Sequence, residues 1–361
     1  MIPPSRAASV QEAKPKKGYP GKTSPATADT TGEGEPKPNN TKSLFLHLAE
    51  YIYFDTFAGI TMFMSAGMNV AYHKSSNQGN ECFSILIPSW NNLPYLKLCI
   101  ESIKKNSAYP HEIIVHVNEG SDGTIDWLKQ QAGISFSHTP QNAGVCYALN
   151  IIAAMATTDY ILYMNDDMYV CPGWDRYLLE EIQAVGHEHF FISATAIEAV
   201  PQSRCSIEGD FGRDIGSFNE EKLLSAYAAL PMHDWQGATW PPNVVHKNLW
   251  NRVGGYSIEF SPGMYSDPDF SMKLWKAGVR YFKGIARSRV YHFGSVSVKR
   301  VQKNGGYYTF ISKWGITAAT FSKYYLRRGA QYNGILTEPK KSNARSLKSL
   351  YKRIRAVFNK K

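Results

Sequence analysis

Residues 83–106 read FSILIPSWNNLPYLKLCIESIKKN, and the pattern changes period halfway along. Phe83–Pro88 is a continuous apolar run of strand length. Leu93–Asn106 has helical spacing instead, with Leu96, Cys99, Ile100 and Ile103 on one face. The alternation then continues. Glu112–Val117 (EIIVHV) reads as a second strand, Thr124–Gln131 as a short helix and Ile134–Ser137 as a weak strand. Val145–Ala156 reads as a helix, followed by strands at Tyr160–Met164 and Phe190–Ala194. Strands alternating with helices imply βαβ units and a mostly parallel sheet. Further on, Lys247–Val253 and Phe270–Ala277 read as helices and Arg289–His292 as a strand end, while 198–245 carries no pattern that assigns it. No internal repeat is present.

The chain has 361 residues, room for one large domain or two ordinary ones. Hydrophobic residues make up 43% and aromatics 13%, which excludes a wholly disordered or collagen-like chain. Five cysteines (Cys82, Cys99, Cys146, Cys171, Cys205) include no CxxC pair, so neither a disulfide scaffold nor a zinc ribbon is expected. A reducing compartment fits them. The first 40 residues hold no apolar segment of the signal-peptide kind.

The net charge of +10 belongs to the ends. Residues 340–361 hold nine basic residues and no acid, residues 1–42 carry +3, and 43–339 carry −2. A nucleic-acid-binding core would carry its basic stripe on the fold itself, so nucleic acid is not the expected partner. Residues 1–42, rich in Pro, Gly, Lys, Thr and Ser with Tyr19 as their one aromatic, read as a disordered tail. Residues 44–72 are long and apolar enough to span a bilayer, but Glu50 and Asp55 sit inside them. Each acid would cost about 2.5–3.5 kcal/mol at mid-membrane. The reading therefore favours an N-terminal helical element over 43–78, packed on the domain or lying in an interface, over a span. Residues 345–358 (RSLKSLYKRIRAVF) place Leu347, Leu350, Tyr351, Ile354, Val357 and Phe358 at helical spacing, with Lys348, Lys352, Arg353 and Arg355 mostly off that stripe. This is a basic amphipathic helix suited to an anionic membrane surface, or else packed on the domain with a solvated basic face. The expected location is cytoplasmic, peripheral on the inner face of the membrane.

In open parallel sheets, ligands bind at the carboxyl ends of the strands. Three polar clusters follow strands directly: Pro88-Ser89-Trp90-Asn91-Asn92, Asn118 to Thr124 (NEGSDGT), and Asn165-Asp166-Asp167. No GxGxxG follows a strand and no GxxxxGK[ST] occurs, so dinucleotide and P-loop readings fail. Adjacent carboxylates ending a buried strand repel unless a cation joins them, and a divalent ion with a nucleotide diphosphate is a natural pair of ligands. A turn or helix cap would use Asp equally well. His292, ending Arg-Val-Tyr-His, reads by itself as an ordinary core or surface histidine. Asp267 and Asp269 open a helix, where acids commonly cap and offset the dipole.

Taken in order, these segments resemble the inverting family-2 glycosyltransferases with the nucleotide-sugar (GT-A) fold. The stretch FSILIPSWNNLPYLKLCIESI resembles the family's first strand, loop and helix. VNEGSDGT resembles the uracil-side loop VDDGSTDGT, and QNAGVCYALN the asparagine-glycine helix start. YILYMNDDMYV resembles the DxD strand, GGYSIEFSPGMYSDPDFSMKLWKAG the segment GGFD…EDxDLxxRxxxAG, and VYH the terminal metal-binding histidine. The resemblance covers roughly 83–295 and implies a GT-A domain over 79–335, with 340–361 as the basic helix.

Roles follow residue by residue. The resemblance makes Asp167 and His292 the metal ligands, with Asp166 helping to hold metal or ribose. It makes Asp267 the general base. Pro88, Ser89, Asn91, Asn118 and Glu119 would line the nucleoside side of the donor, and Asn142 and Gly144 its diphosphate. Asp269 would orient its helix or the acceptor. Trp235 is expected near the acceptor and Trp240 near the donor sugar, since Trp faces stack on sugars as well as filling cores. Three positions depart from the pattern: Asn165 and Asn118 stand where Asp is common, and Ser266 replaces the Glu before Asp267. The activity implied is transfer of a sugar from a nucleotide-sugar, UDP-sugar favoured, to a glycan or lipid-linked acceptor of the cell-surface polysaccharide type, with Mn²⁺ or Mg²⁺. An inactive carbohydrate-binding or membrane scaffold, and a nucleotidyltransferase, remain the alternatives.

Overall fold

The structure is a computed structural model that describes residues 69–76, 79–201, 203–294, 305–340 and 343–358. The expected tail 1–42 and the apolar segment 44–68 lie outside the described residues. Where the expected helical element ends, Ala71–His73 forms a strand instead (β1). It pairs antiparallel with the sheet edge at His138–Phe136, where extended backbone finds ladder partners that a helix would leave unmet.

The strands and helices of the first half run β2 (Ser84–Trp90), α1 (Leu93–Asn106), β3 (Glu112–Asn118), α2 (Thr124–Lys129), β4 (Ile134–Thr139), α3 (Gly144–Ala153), β5 (Tyr160–Tyr163) and β6 (Met168–Val170). Next come α4 (Trp174–Val185), β7 (Phe190–Glu198), β8 (Ser206–Glu208), α5 (Glu220–Ala226), β9 (Trp235–Gln236), β10 (Asn243–His246) and α6 (Lys247–Val253). The last are α7 (Ser266–Lys276), β11 (Tyr281–His292), α8 (Gly306–Trp314), α9 (Ala318–Thr320) and α10 (Asn343–Phe358).

One sheet takes the strands in the order β1-β4-β3-β2-β5-β10-β7-β11-β6, with β8 beside β7 and β9 beside β11. β4, β3, β2 and β5 are parallel, as expected from the alternation. β10 enters antiparallel to both β5 and β7. Two reversals restore direction, so β7 and β11 run the same way as β5. The carboxyl ends of all these parallel strands therefore share one edge.

Why β2 reads as an unbroken apolar run is now plain: both faces are covered. Ile85 and Ile87 point to a core shared with Leu96, Cys99, Ile100 and Ile103 of α1 and Trp174, Leu178 and Ile182 of α4. Leu86 points the other way, to Cys146, Leu149 and Ile152 of α3. Each such fully buried Leu or Ile contributes about 1.5–3 kcal/mol over exposure. Truncating Leu86 to Ala would cost about 2–5 kcal/mol.

Two elements escaped the sequence reading and matter for the site. α4 is bracketed by left-handed Gly173 and Gly186, with its stripe Trp174, Leu178, Ile182 at four-residue spacing. β6 is only three residues long, too short to show a period, and pairs antiparallel with the end of β11. Within 198–245, β10 fills the gap between β5 and β7.

Candidate active site

Strand ends bring most of the predicted residues to the carboxyl edge. β5 stops at Tyr163, and Asp166-Asp167 turn the chain into β6. The β6–β11 register sets His292 opposite Met168, and the Phe293 N–H donates to the Asp167 carbonyl (3.2 Å). This pairing carries His292 to the acidic turn across 125 residues of chain. His292 Nε2 stands 3.4 Å from Asp167 Oδ1, and Nδ1 is 2.8 Å from Glu198 Oε1 at the end of β7. Burial alone would lower the His292 pKa, but the carboxylates of Asp167 and Glu198 outweigh it and raise it to about 10.

Ser89 sits at the end of β2 and is buried, so it does not face a nucleoside directly. Its hydroxyl donates to Asp166 Oδ2 (2.8 Å) and fixes that carboxylate. Asn118 is likewise committed to the protein. Its Oδ1 accepts from the Ala143 N–H (2.8 Å) and its Nδ2 donates to the Ser89 carbonyl (3.4 Å). An Asp there could not donate, which gives this departure from the family pattern a physical reason. Asn91 and Glu119 both adopt left-handed backbone, and the Asn91 amide donates to Glu119 Oε2 (2.8 Å), joining the first two loops. Both stay partly exposed, as does Pro88.

Asn142 accepts from the Gly144 N–H (2.9 Å). Gly144 is buried and has φ +78°, and a Cβ there would lie 2.7 Å from Pro262 Cα. Gly144 therefore packs on the loop that leads to α7 on the side where a side chain would stand. The Val145 N–H donates to the Pro262 carbonyl (3.0 Å), tying the two segments.

α7 begins after Tyr265, itself in left-handed backbone, and places Asp267 and Asp269 in its first turn. The two acids part company there. Asp269 is fully buried, accepts from Trp314 Nε1 (2.7 Å), and pairs with Lys313 Nζ (3.0 Å), both on α8. It anchors α7 to α8. Asp267 is half-buried and accepts from the Tyr256 hydroxyl (3.0 Å). Burial raises its carboxyl from 3.8 to about 7, against the pull of that hydrogen bond. Buried Tyr163 ends β5 and meets the Tyr256 ring edge-on, with centroids 5.9 Å apart. Its phenol is pushed well above the usual range by burial and then by the charges of Asp267, Asp167 and Asp166. The charges of Asp267 and of the Asp166-Asp167 turn thus both reach this one phenol.

The two tryptophans differ. Trp235 is 2% exposed and donates to Thr195 Oγ1 (2.9 Å), and its ring covers Gly284, where any Cβ would collide with it. Its expected contact with an acceptor is therefore corrected: it is a core residue. Trp240 lies just before β10 at the carboxyl edge, half-buried, with the Arg328 guanidinium 4.8 Å over its ring. A separate cleft lined by Lys74, Ser75, Glu81, Thr157 and Thr158 opens at the opposite edge of the sheet.

Sequence reasoning missed Glu198, Tyr163 and Tyr256. Glu198 and Tyr163 end strands at the functional edge, a signal that was available; Tyr256 sat within the quoted GGYS without a role. Among the described residues no three His, Cys, Asp or Glu side chains form a ready cation cage. The pair Asp167 and His292 still suits a divalent ion. His292 Nε2 is buried without a hydrogen-bond partner and faces a carboxylate oxygen, an arrangement that a cation accepting both would satisfy. Glu198 on Nδ1 is the usual orienting partner of a ligating histidine.

Residues 84–204 match the profile described as Glycosyl transferase family 2. The uncharacterized glycosyltransferase YwdF of Bacillus subtilis is 24% identical over 146 residues, covering 40% of this chain and 54% of its own. Hyaluronan synthase of Pasteurella multocida is 22% identical over 256 residues, covering 67% of this chain and 24% of its own. This chain thus spans about half of the first relative and a quarter of the second. Among solved structures, S. aureus TarS 1–349 aligns with a TM-score of 0.46 at 14% identity, covering 76% of this chain and 71% of that one. With strand-end motifs in the family's order, the segment from β2 to β7 is thus similar in sequence to the family-2 glycosyltransferases.

Proposed function

We propose that this chain transfers a glycosyl unit from a nucleotide-sugar to an acceptor hydroxyl with inversion at the anomeric carbon. Two observations support this reading: His292 stands 3.4 Å from Asp167, and Asp267 accepts from Tyr256, whose ring meets that of Tyr163 on the strand leading to the Asp166-Asp167 turn. Asp267 takes the proton from the acceptor hydroxyl as its oxygen bonds to the anomeric carbon. The bond from that carbon to the phosphate oxygen breaks, and the nucleoside diphosphate leaves with the electron pair. A carboxylate whose pKa is near 7 is ionised often enough at neutral pH and basic enough to accept the proton. Asp167 and His292 would hold Mn²⁺ or Mg²⁺, which supplies Lewis-acid neutralisation of the leaving diphosphate when bound. Ser89 holds Asp166 in place, and Glu198 orients His292.

A UDP-sugar is the donor we propose, and Asn91 and Glu119 are the accessible residues for its nucleoside side. The acceptor proposed is a growing glycan or a lipid-linked sugar, in keeping with the name of the hyaluronan synthase relative. The test is a panel of nucleotide-sugars with glycan acceptors, products read by anomeric NMR, on wild type and Asp267→Asn. An inverted product, with turnover lost about 10²–10⁴-fold in a folded variant that still binds UDP, is expected. A product retaining the donor configuration, or a variant with wild-type turnover, overturns the proposal.

A further inference from the structure

The C-terminal helix α10 is oriented opposite to the way an ordinary surface helix is. Leu347, Leu350, Tyr351 and Ile354 are 67%, 51%, 61% and 50% exposed. At 100° per residue they fall within one arc of about 100°, a continuous apolar stripe turned to solvent. Ala356 lies half a turn from Leu347 and is 0% exposed. The helix packs beside α8 with the stem of Arg353 against Gly315 at the end of α8, and a small residue, Ala356, lies on its buried side. A helix serving only the fold would bury the apolar stripe and leave its basic side wet. Here the domain takes the narrow small-residue side and, among the described residues, leaves the stripe exposed. Arg353 and Arg355 are exposed beside it, and residues 340–361 carry nine basic residues with no acid.

From this arrangement we infer that α10 is a docking surface for an anionic lipid bilayer, its apolar stripe entering the headgroup boundary and its basic residues meeting lipid phosphates. The complementarity is specific to this partner. An exposed row of two Leu, one Tyr and one Ile suits the acyl boundary, and exposed Arg353 and Arg355, one on each flank, suit anionic headgroups. A protein groove would take the stripe but would not call for nine basic residues without one acid. The helix is about 24 Å long, so it lies in the interface plane and does not cross it. Among the described residues no helix is long and apolar enough to cross a membrane. The inference does not rest on the reading of the carboxyl-edge site.

The test is flotation of the full chain with vesicles of phosphatidylcholine alone and of phosphatidylcholine mixed with phosphatidylglycerol. Wild type should float with the anionic vesicles, less so as salt rises, and stay down with the neutral ones. Leu350→Ser with Ile354→Ser keeps every charge and should abolish flotation. Arg353→Gln should weaken partitioning about fivefold, since one basic residue near the surface is worth about that factor. These positions are exposed, and circular dichroism with melting curves checks that the variants fold. Flotation of the double Ser variant equal to wild type assigns binding to another segment, such as 44–68, and overturns the inference. Equal binding to neutral vesicles overturns it too, as does a wild-type dimer that the Ser variant dissolves without any flotation.

Discussion

Replacing Tyr256 by Phe removes the hydroxyl that donates to Asp267 while keeping the ring that stacks on Phe270 (centroids 4.7 Å, interplanar angle 10°). Two effects set the Asp267 pKa: burial raises it and this hydrogen bond lowers it, with burial ahead, so it stands at about 7. A hydrogen bond to a charged group is worth about 1.5–3 kcal/mol, and one pH unit corresponds to about 1.4 kcal/mol. Losing the bond should therefore move the carboxyl up by about one to two pH units, to roughly 8–9. The base must be ionised to act, so kcat/KM rises with pH through its pKa and then levels off. At pH 7 the wild-type carboxylate is about half ionised, whereas the variant's would be about 1–10% ionised. The expected result is a loss of about 5- to 50-fold in kcat/KM at pH 7 that shrinks steadily above pH 8. The assay is nucleotide release across pH 5.5–9.5 at subsaturating donor, about the span this limb needs. A purely structural loss would lower the whole profile without moving it. An acid limb at the wild-type position, or displaced to lower pH, would refute this account of Asp267.

The same raised pKa has a consequence for folding. The native state binds more protons than the unfolded state between pH 3.8 and about 7, so stability falls as pH rises through that window. Asp267→Asn removes a cost of up to about 4 kcal/mol, reduced by water at the half-buried carboxylate. Melting of the variant should thus exceed wild type at pH 8 and match it near pH 4; equal melting at both would contradict the burial argument. Asp269→Ala leaves Trp314 Nε1 buried without its acceptor, while Lys313 keeps Glu259 (2.7 Å), and should destabilise by about 1–3 kcal/mol in urea unfolding, against little effect if the contact were idle. Glu198→Gln should weaken Mn²⁺ binding to the UDP-loaded enzyme about 10–100-fold by calorimetry, and unchanged affinity would remove Glu198 from the metal account. Gly144→Ala puts a Cβ 2.7 Å from the Pro262 backbone and should destabilise by about 1–3 kcal/mol. A melting temperature equal to wild type would mean that the loop yields freely.

Much of this protein is legible without coordinates, because local periodicity is a local property. The apolar run at 83–88 and the four-residue spacing over 93–106 announce a strand and a helix from side-chain pattern alone, and both form where expected. Their position after a strand also puts Asp166 and Asp167 at the carboxyl edge, since parallel topology puts carboxyl ends together, whereas Asp267 and His292 are expected beside them only from the family resemblance. Pairing register between distant segments is not written in any local window. Only the three-residue β6, set against the end of β11, brings His292 to Asp167 and Glu198. Only packing separates the two acids of α7, burying Asp269 on Lys313 and Trp314 while Asp267 keeps access beside Tyr256. Tertiary contact likewise turns Trp235 into a core residue over Gly284. For α10, composition predicts an amphipathic helix, but a helix can offer either face to its domain. The burial of Ala356 and the packing of Arg353 against Gly315 decide that the apolar stripe faces outward.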